Sequence, residues 1–302
     1  MANSLLNTLK SEIPGLVLRE NEPLSRHTSF RIGGDARLFA EPSGAGELAS
    51  LVSLLRRCGE RYILIGNGTN MLFSDDGYNG CVIHLGDRFA EVSADGDSIT
   101  ALSGITLSRL AVFARDRSLS GLEFAHGIPG SLGGAVFMNA GAYGGEMKDV
   151  ISSVSVLTPA GDVKSISGAG CAFSYRTSRF EDSGEIILGA VLRLAPGDSD
   201  EITAAMRLLM EKRASSQPLD KPSAGSTFKR PQAGYAAAMI DECGLKGLTI
   251  GGAAVSDKHA GFVVNLGGAS FSDVISVMDK VRDAVYSRFG VTLEPEVRII
   301  RG

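Results

Sequence analysis

No run of about 18 apolar residues occurs anywhere in the 302-residue chain, and its amphipathic opening has neither the basic stretch nor the apolar core of a leader peptide. A membrane-spanning helix is therefore excluded by expectation, and the protein is expected in the cytoplasm. Charge of one sign is lacking as well. Thirty Lys and Arg face 34 Asp and Glu, so the net charge of −4 gives no reason to expect nucleic acid or an anionic membrane as the main partner. Cysteines are few and scattered, at Cys58, Cys81, Cys171 and Cys243, and so are His27, His84, His126 and His259. That dispersal argues against a disulfide framework, a redox pair or a zinc site, so the thiols read as buried and no metal is predicted. Internal repeats, linkers and low-complexity tracts are also missing.

What the chain has in excess is glycine: 38 of 302 residues, nearly twice the usual share of about 7%. Such a chain needs many tight turns, or close approaches of backbone to a ligand. Its length exceeds what one small core needs, which favours two or three domains around a cleft. Helical spacing marks 47–57 (Leu48, Leu51, Val52, Leu55) and a second helix through Leu107, Leu110, Ala111 and Ala114, with apolar strands at 61–65 and 81–85. Strands are expected at 151–157 and 185–194, with a domain boundary near 196–201. Helices are expected at 201–213 and 234–243, and β structure at 249–255 and 260–266. The last helix is the clearest: Ser270 with Asp273 resembles a capping box, Val274, Val277, Val281 and Val285 form one stripe, and Gly290 sits where a helix stops. A final strand is expected over 291–300.

Three glycine tracts carry the first chemical signal. Gly66-Asn67-Gly68-Thr69-Asn70 follows a strand, where exposed N–H groups form a nest for an anion such as a diphosphate. The third glycine of a Rossmann fingerprint is absent, and Ser74-Asp75-Asp76-Gly77 breaks the helix that fingerprint requires. Tracts 127–134 and 139–145 flank the apolar 135–138 segment; all three could line one extended cofactor, or be hairpin turns. Arg176, after Tyr175, could grip a carboxylate with its fork or be a surface arginine. Glu294 and Glu296 share one strand face around Pro295, as a site pair or as ordinary exposed carboxylates. In Gly225-Ser226-Thr227-Phe228-Lys229, Ser226 stands beside a cation without an obvious base; it either caps a following turn or donates a proton to a ligand.

Taken in order, the motifs resemble the UDP-N-acetylenolpyruvoylglucosamine reductase family over nearly the whole length. They are 21–34 (ending Phe30-Arg31-Ile32-Gly33-Gly34), 65–72, 127–135, 138–144, Tyr175-Arg176, 225–231 and 293–298. The resemblance implies an α+β fold: a two-part FAD-binding region of the vanillyl-alcohol-oxidase/PCMH type and a C-terminal α+β substrate-binding domain. The parts would be 1–85, with 291–302 packing back on it, 86–198, and 199–290.

It implies non-covalent FAD, reduced by NADPH, and a small UDP-sugar substrate: reduction of UDP-N-acetylglucosamine enolpyruvate to UDP-N-acetylmuramate for peptidoglycan. By the same resemblance, Gly66, Asn67, Gly68, Thr69, Asn70, Gly130, Ser131, Gly133 and Gly134 would cradle the FAD diphosphate and its neighbours, with Asn139, Ala140 and Gly141 near the cofactor. Ser226 would donate the proton, Arg176 would stabilise charge on the substrate carboxylate, and Glu296, rather than Glu294, would help hold it. Tyr175 and Lys229 would face the substrate, Lys229 also easing charge on Ser226. The compact 175–217 stretch resembles the shorter group of the family, which lacks a tyrosine-bearing loop over the nucleotide. Arg213, Lys212 and Lys229 are then candidates for the UDP diphosphate, and Arg230 stands where some relatives have asparagine. Nothing in the sequence requires an oligomer, and a monomer is compatible with it.

Overall fold

The protein is described by a computed structural model covering residues 2–302. Two compact units divide the chain: residues 1–19, 38–67 and 80–212 form the first, and 20–37, 68–79 and 213–302 the second. The expectation is of three parts, 1–85 with 291–302 packing back on it, 86–198 and 199–290. The segments 20–37 and 68–79 belong with the C-terminal region because Phe30, Ile32 and Leu72 enter its core. Arg298–Ile300 also pairs in parallel with Met71–Phe73, register Ile299 with Leu72.

In the first unit, Leu48, Leu51, Val52 and Leu55 of helix Ala45–Arg57 are buried, as the 3.6-residue spacing requires. They share a core with Leu38, Cys81 and Ile83 from a four-stranded sheet in the order Val17–Pro23, Asp35–Glu41, Tyr78–His84, Tyr62–Ile65. A second, five-stranded antiparallel sheet runs Val163–Ser167, Ile151–Leu157, Ile186–Arg193, Ser98–Leu102, Val92–Asp95. Helix Leu107–Arg115 starts at Thr106, whose hydroxyl accepts the Arg109 N–H at 3.2 Å, and buries Leu107, Leu110, Ala111 and Ala114. The apolar 135–138 segment is not framed by hairpins alone. Its first three residues form the second half of a short helix, Leu132–Phe137, that buries Leu132, Ala135 and Val136 despite two glycines.

The second unit packs helix Phe271–Phe289 against a three-stranded antiparallel sheet, Thr249–Ile250, Ala253–Val255, Val263–Asn265. The valine stripe 274, 277, 281 and 285 is buried in that core with Met239 and Ile240 of helix Ala236–Glu242. Both expected stop signals form. Ser270 Oγ accepts the Asp273 N–H at 3.1 Å, Asp273 Oδ2 accepts the Ser270 N–H at 3.0 Å, and Gly290 adopts φ 67°. Ser270→Ala is therefore expected to lower the unfolding free energy by about 1 kcal/mol in denaturant titration. The final strand is shorter than expected: Pro295 has no N–H for a ladder, and only Arg298–Ile300 is extended with a partner strand.

The thiols differ from the uniformly buried expectation. Cys81 and Cys171 are buried, and burial pushes the Cys171 thiol up to about 11. Cys58, just past the end of helix Ala45–Arg57, is exposed, and Cys243 is half-buried. Among the described residues no helix is long and apolar enough to cross a membrane, and no group of three or more His, Cys, Asp or Glu is placed to hold a metal ion.

Candidate active site

Ser226 and Glu296 lie 70 positions apart in the chain, and the second unit sets them on neighbouring antiparallel segments. The Glu296 N–H donates to Thr227 O at 2.8 Å, Phe228 bridges Pro295, and the Lys229 N–H donates to Glu294 O at 2.9 Å. Ser226 is exposed, whereas Thr227 is only 2% exposed and has every polar group engaged. Its N–H donates to Gly261 O at 2.9 Å, its carbonyl receives Glu296, and its hydroxyl accepts the Val263 N–H at 2.9 Å. Thr227 thus fixes the peptide that presents Ser226, a role that sequence reading missed although the residue lies inside the motif. Thr227→Val, which leaves the buried Val263 N–H without an acceptor, is expected to destabilise the chain by ~1–3 kcal/mol, and Thr227→Ser to restore most of that in thermal melts.

The two glutamates differ in environment. Glu294 has a side chain 74% exposed and forms an ion pair with Lys229 Nζ at 3.7 Å, so the Lys229 charge is directed at Glu294. Glu296 is half-buried, and its backbone is held on both sides: Thr227 takes its N–H, and Asn70 Nδ2 donates to its carbonyl at 3.0 Å. That constraint favours Glu296 as the carboxylate with a defined position. Arg213 is half-buried in the last turn of helix Ser199–Ser216, and Lys212 beside it is exposed. Arg230 packs over the ring of exposed Tyr235, 4.3 Å from its centroid.

Arg176 belongs to the first unit. It sits at the third position of a tight turn, Ser174-Tyr175-Arg176-Thr177, closed by the Ser174 N–H to Thr177 O at 3.1 Å. Its φ of 56° lies in the left-handed region, which a long L side chain occupies at a cost of order 1 kcal/mol and which recurs at functional sites. Arg176 Nη2 donates to Gly141 O at 3.4 Å, and its guanidinium lies 5.4 Å from the centroid of the exposed Tyr175 ring. Gly141 pairs across a two-residue ladder with Glu146. The hydrogen bond from Lys148, with that of Asn139 and the charges of Lys148 and Arg176 adding to it, holds the Glu146 carboxyl below the ordinary carboxylate range.

Within the first unit the first two glycine tracts come together. A Cβ on Gly66 would collide with Ser131 Oγ, so the end of the first tract lies against the second. Behind them Ser103, 1% exposed, has a hydroxyl with no hydrogen-bond partner among the described residues, and its carbonyl accepts the Gly133 N–H at 2.8 Å. A buried hydroxyl left over beside two small-residue loops fits a polar ligand such as a dinucleotide phosphate, and Gly134, exposed with only Ser131 Oγ near its Cβ direction, leaves the approach open. The signal that could have revealed Ser103 is the Ser103-Gly104 pair directly after strand Ser98–Leu102.

Four of the expected cofactor residues are constrained by the surrounding chain. The Gly133 N–H is taken by Ser103, so Gly133 can contribute by its missing side chain but not by that donor. The side chains of Asn70 and Asn139 are engaged with protein: Asn70 on Glu296, and Asn139 on Glu146, Ser174 and Lys148. In Gly68, at φ 58°, a Cβ would collide with His27 O, so this glycine is required by the chain's own backbone.

Residues 217–300 match the family model of the UDP-N-acetylenolpyruvoylglucosamine reductase C-terminal domain, and residues 36–167 match that of an FAD binding domain. A UDP-N-acetylenolpyruvoylglucosamine reductase from Caldanaerobacter subterraneus subsp. tengcongensis is 45% identical over 300 residues, covering 99% of both chains. One from Clostridioides difficile is 44% identical over 297 residues, covering 98% of this chain and 96% of its own. The crystal structure of the enzyme of that name from Thermus caldophilus superposes with a TM-score of 0.81 at 33% identity, covering 94% of this chain and 98% of its own. Such similarity over the full length, with both halves matched, shows that this chain belongs to the UDP-N-acetylenolpyruvoylglucosamine reductase family.

Proposed function

We propose that this chain reduces UDP-N-acetylenolpyruvoylglucosamine to UDP-N-acetylmuramate, a peptidoglycan precursor, with bound FAD and with NADPH as reductant. The observation that carries the reading is the pairing of the Ser226 segment with the Glu296 segment inside the region that matches the reductase C-terminal domain. FAD would be held by the backbone of 66–70 and by 130–134, with Ser103 completing the set, and when bound it supplies the hydride for the enolpyruvyl methylene carbon.

The chain's own residues handle charge and proton. Hydride addition to the methylene carbon drives negative charge onto the neighbouring carbon and its carboxylate. Arg176 meets that charge with a cation already fixed in place by its turn, so little reorganisation accompanies the step. Glu296 holds the carboxyl end in register through a proton shared between the two carboxyl groups, since two bare carboxylates would repel. Ser226 Oγ delivers its proton to the carbon beside the carboxylate. A serine is a weak acid in water, but an enolate is a base strong enough to take its proton when geometry aligns the two. Tyr175, Arg213 and Lys229 would face the UDP-sugar.

The test is substrate-dependent NADPH oxidation by the purified holoenzyme. Oxidation that requires UDP-N-acetylenolpyruvoylglucosamine supports the assignment, and a chain that takes up no FAD on reconstitution contradicts it.

A further inference from the structure

Each unit contains an asparagine at the end of a glycine-rich tract that sequence reading assigns to the cofactor, and in each the side-chain amide reaches a segment bearing a proposed catalytic residue instead. Asn139 is 1% exposed, with φ 41°. Both hydrogens of its amide are used, on Glu146 Oε2 at 2.8 Å and on Ser174 O at 3.0 Å, and its Oδ1 accepts the Lys148 N–H at 2.9 Å. Ser174 opens the turn that forces Arg176 into the left-handed region, and Glu146 is the ladder partner of Gly141, whose carbonyl Arg176 Nη2 contacts. Asn139 therefore grips both sides of the frame around Arg176. In the second unit, Asn70 Nδ2 donates to Glu296 O at 3.0 Å and Asn70 O accepts the Arg298 N–H at 3.0 Å. With Thr227 on the Glu296 N–H, the peptide that presents Glu296 is held from both ends.

We infer that Asn70 and Asn139 are positioning residues, Asn70 for Glu296 and Asn139 for the Arg176 turn, and that their side chains do not bind FAD. The inference rests on the proposed roles of Arg176 and Glu296. At position 139 a short amide supplies the two donors and one acceptor that the frame uses and tolerates the positive φ, and at position 70 its Nδ2 supplies the donor to the Glu296 carbonyl. Misplacing a catalytic group by about 1 Å costs on the order of 10²-fold in rate. The loss is therefore confined to the step in which the substrate is reduced.

The test compares Asn70→Ala, Asn70→Ser, Asn139→Ala and Asn139→Ser holoenzymes with Arg176→Ala and Glu296→Gln. FAD dissociation constants, the rate of flavin reduction by NADPH, and the rate of reoxidation by UDP-N-acetylenolpyruvoylglucosamine are measured for each. The serine variants keep a short polar side chain without setting a carboxylate against Glu146 or the Glu296 carbonyl, but cannot span to the same partners, so they report on positioning where an alanine variant does not fold. Expected for the four asparagine variants are unchanged FAD affinity and NADPH step, with reoxidation slowed by on the order of 10²-fold. FAD affinity falling in step with turnover, or reoxidation at the parent rate, overturns the inference. If Arg176→Ala and Glu296→Gln themselves reoxidise at the parent rate, the catalytic reading fails and takes the inference with it. If only those two are slow, the reading stands and the inference alone fails.

Discussion

Ser226→Ala is expected to separate the two halves of the reaction: NADPH still bleaches the flavin absorbance of the variant, while return of that absorbance on adding the enolpyruvyl substrate slows by ~10²–10⁴-fold, the range of a lost general acid. The reason is local. Ser226 is exposed at the edge of its segment and its neighbour Thr227 makes all the structural hydrogen bonds, so alanine removes a hydroxyl without disturbing the ladder to Glu296. Ser226→Ala should accordingly melt with the parent protein. Equal slowing of both half-reactions, or a lowered melting temperature, would make Ser226 a structural residue.

For Arg176 the informative variant is glycine. At φ 56° the present backbone is one that glycine adopts without steric cost, so Arg176→Gly should melt no lower than the parent. Loss of the guanidinium should still slow substrate-dependent reoxidation by ~10²–10³-fold, the scale of removing one preorganised charge contact. A stable fold with a dead substrate step is the pattern of a residue whose backbone strain serves chemistry. A variant that keeps its substrate rate would return Arg176 to the surface arginine that its sequence context also allows. Weakened FAD binding in the same variant would assign the turn to the cofactor.

Much of this was legible before any coordinates, for unequal reasons. The last helix, its capping box and its glycine stop carry their signals within a few residues of each other, and all three form. Only the order of motifs singles out Ser226, Arg176 and Glu296, since no residue near any of them identifies its chemistry by itself. The assignment of 20–37 and 68–79 to the second unit was not legible, because it depends on Phe30, Ile32 and Leu72 joining a core more than 150 positions later. Helix Leu132–Phe137 was hidden by its glycines, and the edge strands Val92–Asp95 and Val163–Ser167 by their largely exposed, polar residues.

The glycine tracts carry close approaches whose partners the sequence does not name. Gly66 meets Ser131 and Gly68 meets the His27 carbonyl, so part of the glycine content closes the chain on itself. Glu294 and Glu296, equivalent on one strand face, differ in the Lys229 ion pair on the first and the Asn70 and Thr227 hydrogen bonds on the second, contacts across more than 60 positions of sequence.

The most direct test of the account is a single-turnover experiment without oxygen. Holoenzyme reduced by one equivalent of NADPH is mixed with UDP-N-acetylenolpyruvoylglucosamine, and flavin absorbance and product are followed together. The account predicts that the absorbance returns with one equivalent of UDP-N-acetylmuramate formed, and that Ser226→Ala stops both. Flavin that stays reduced in the parent protein, or that reoxidises without product, would contradict it.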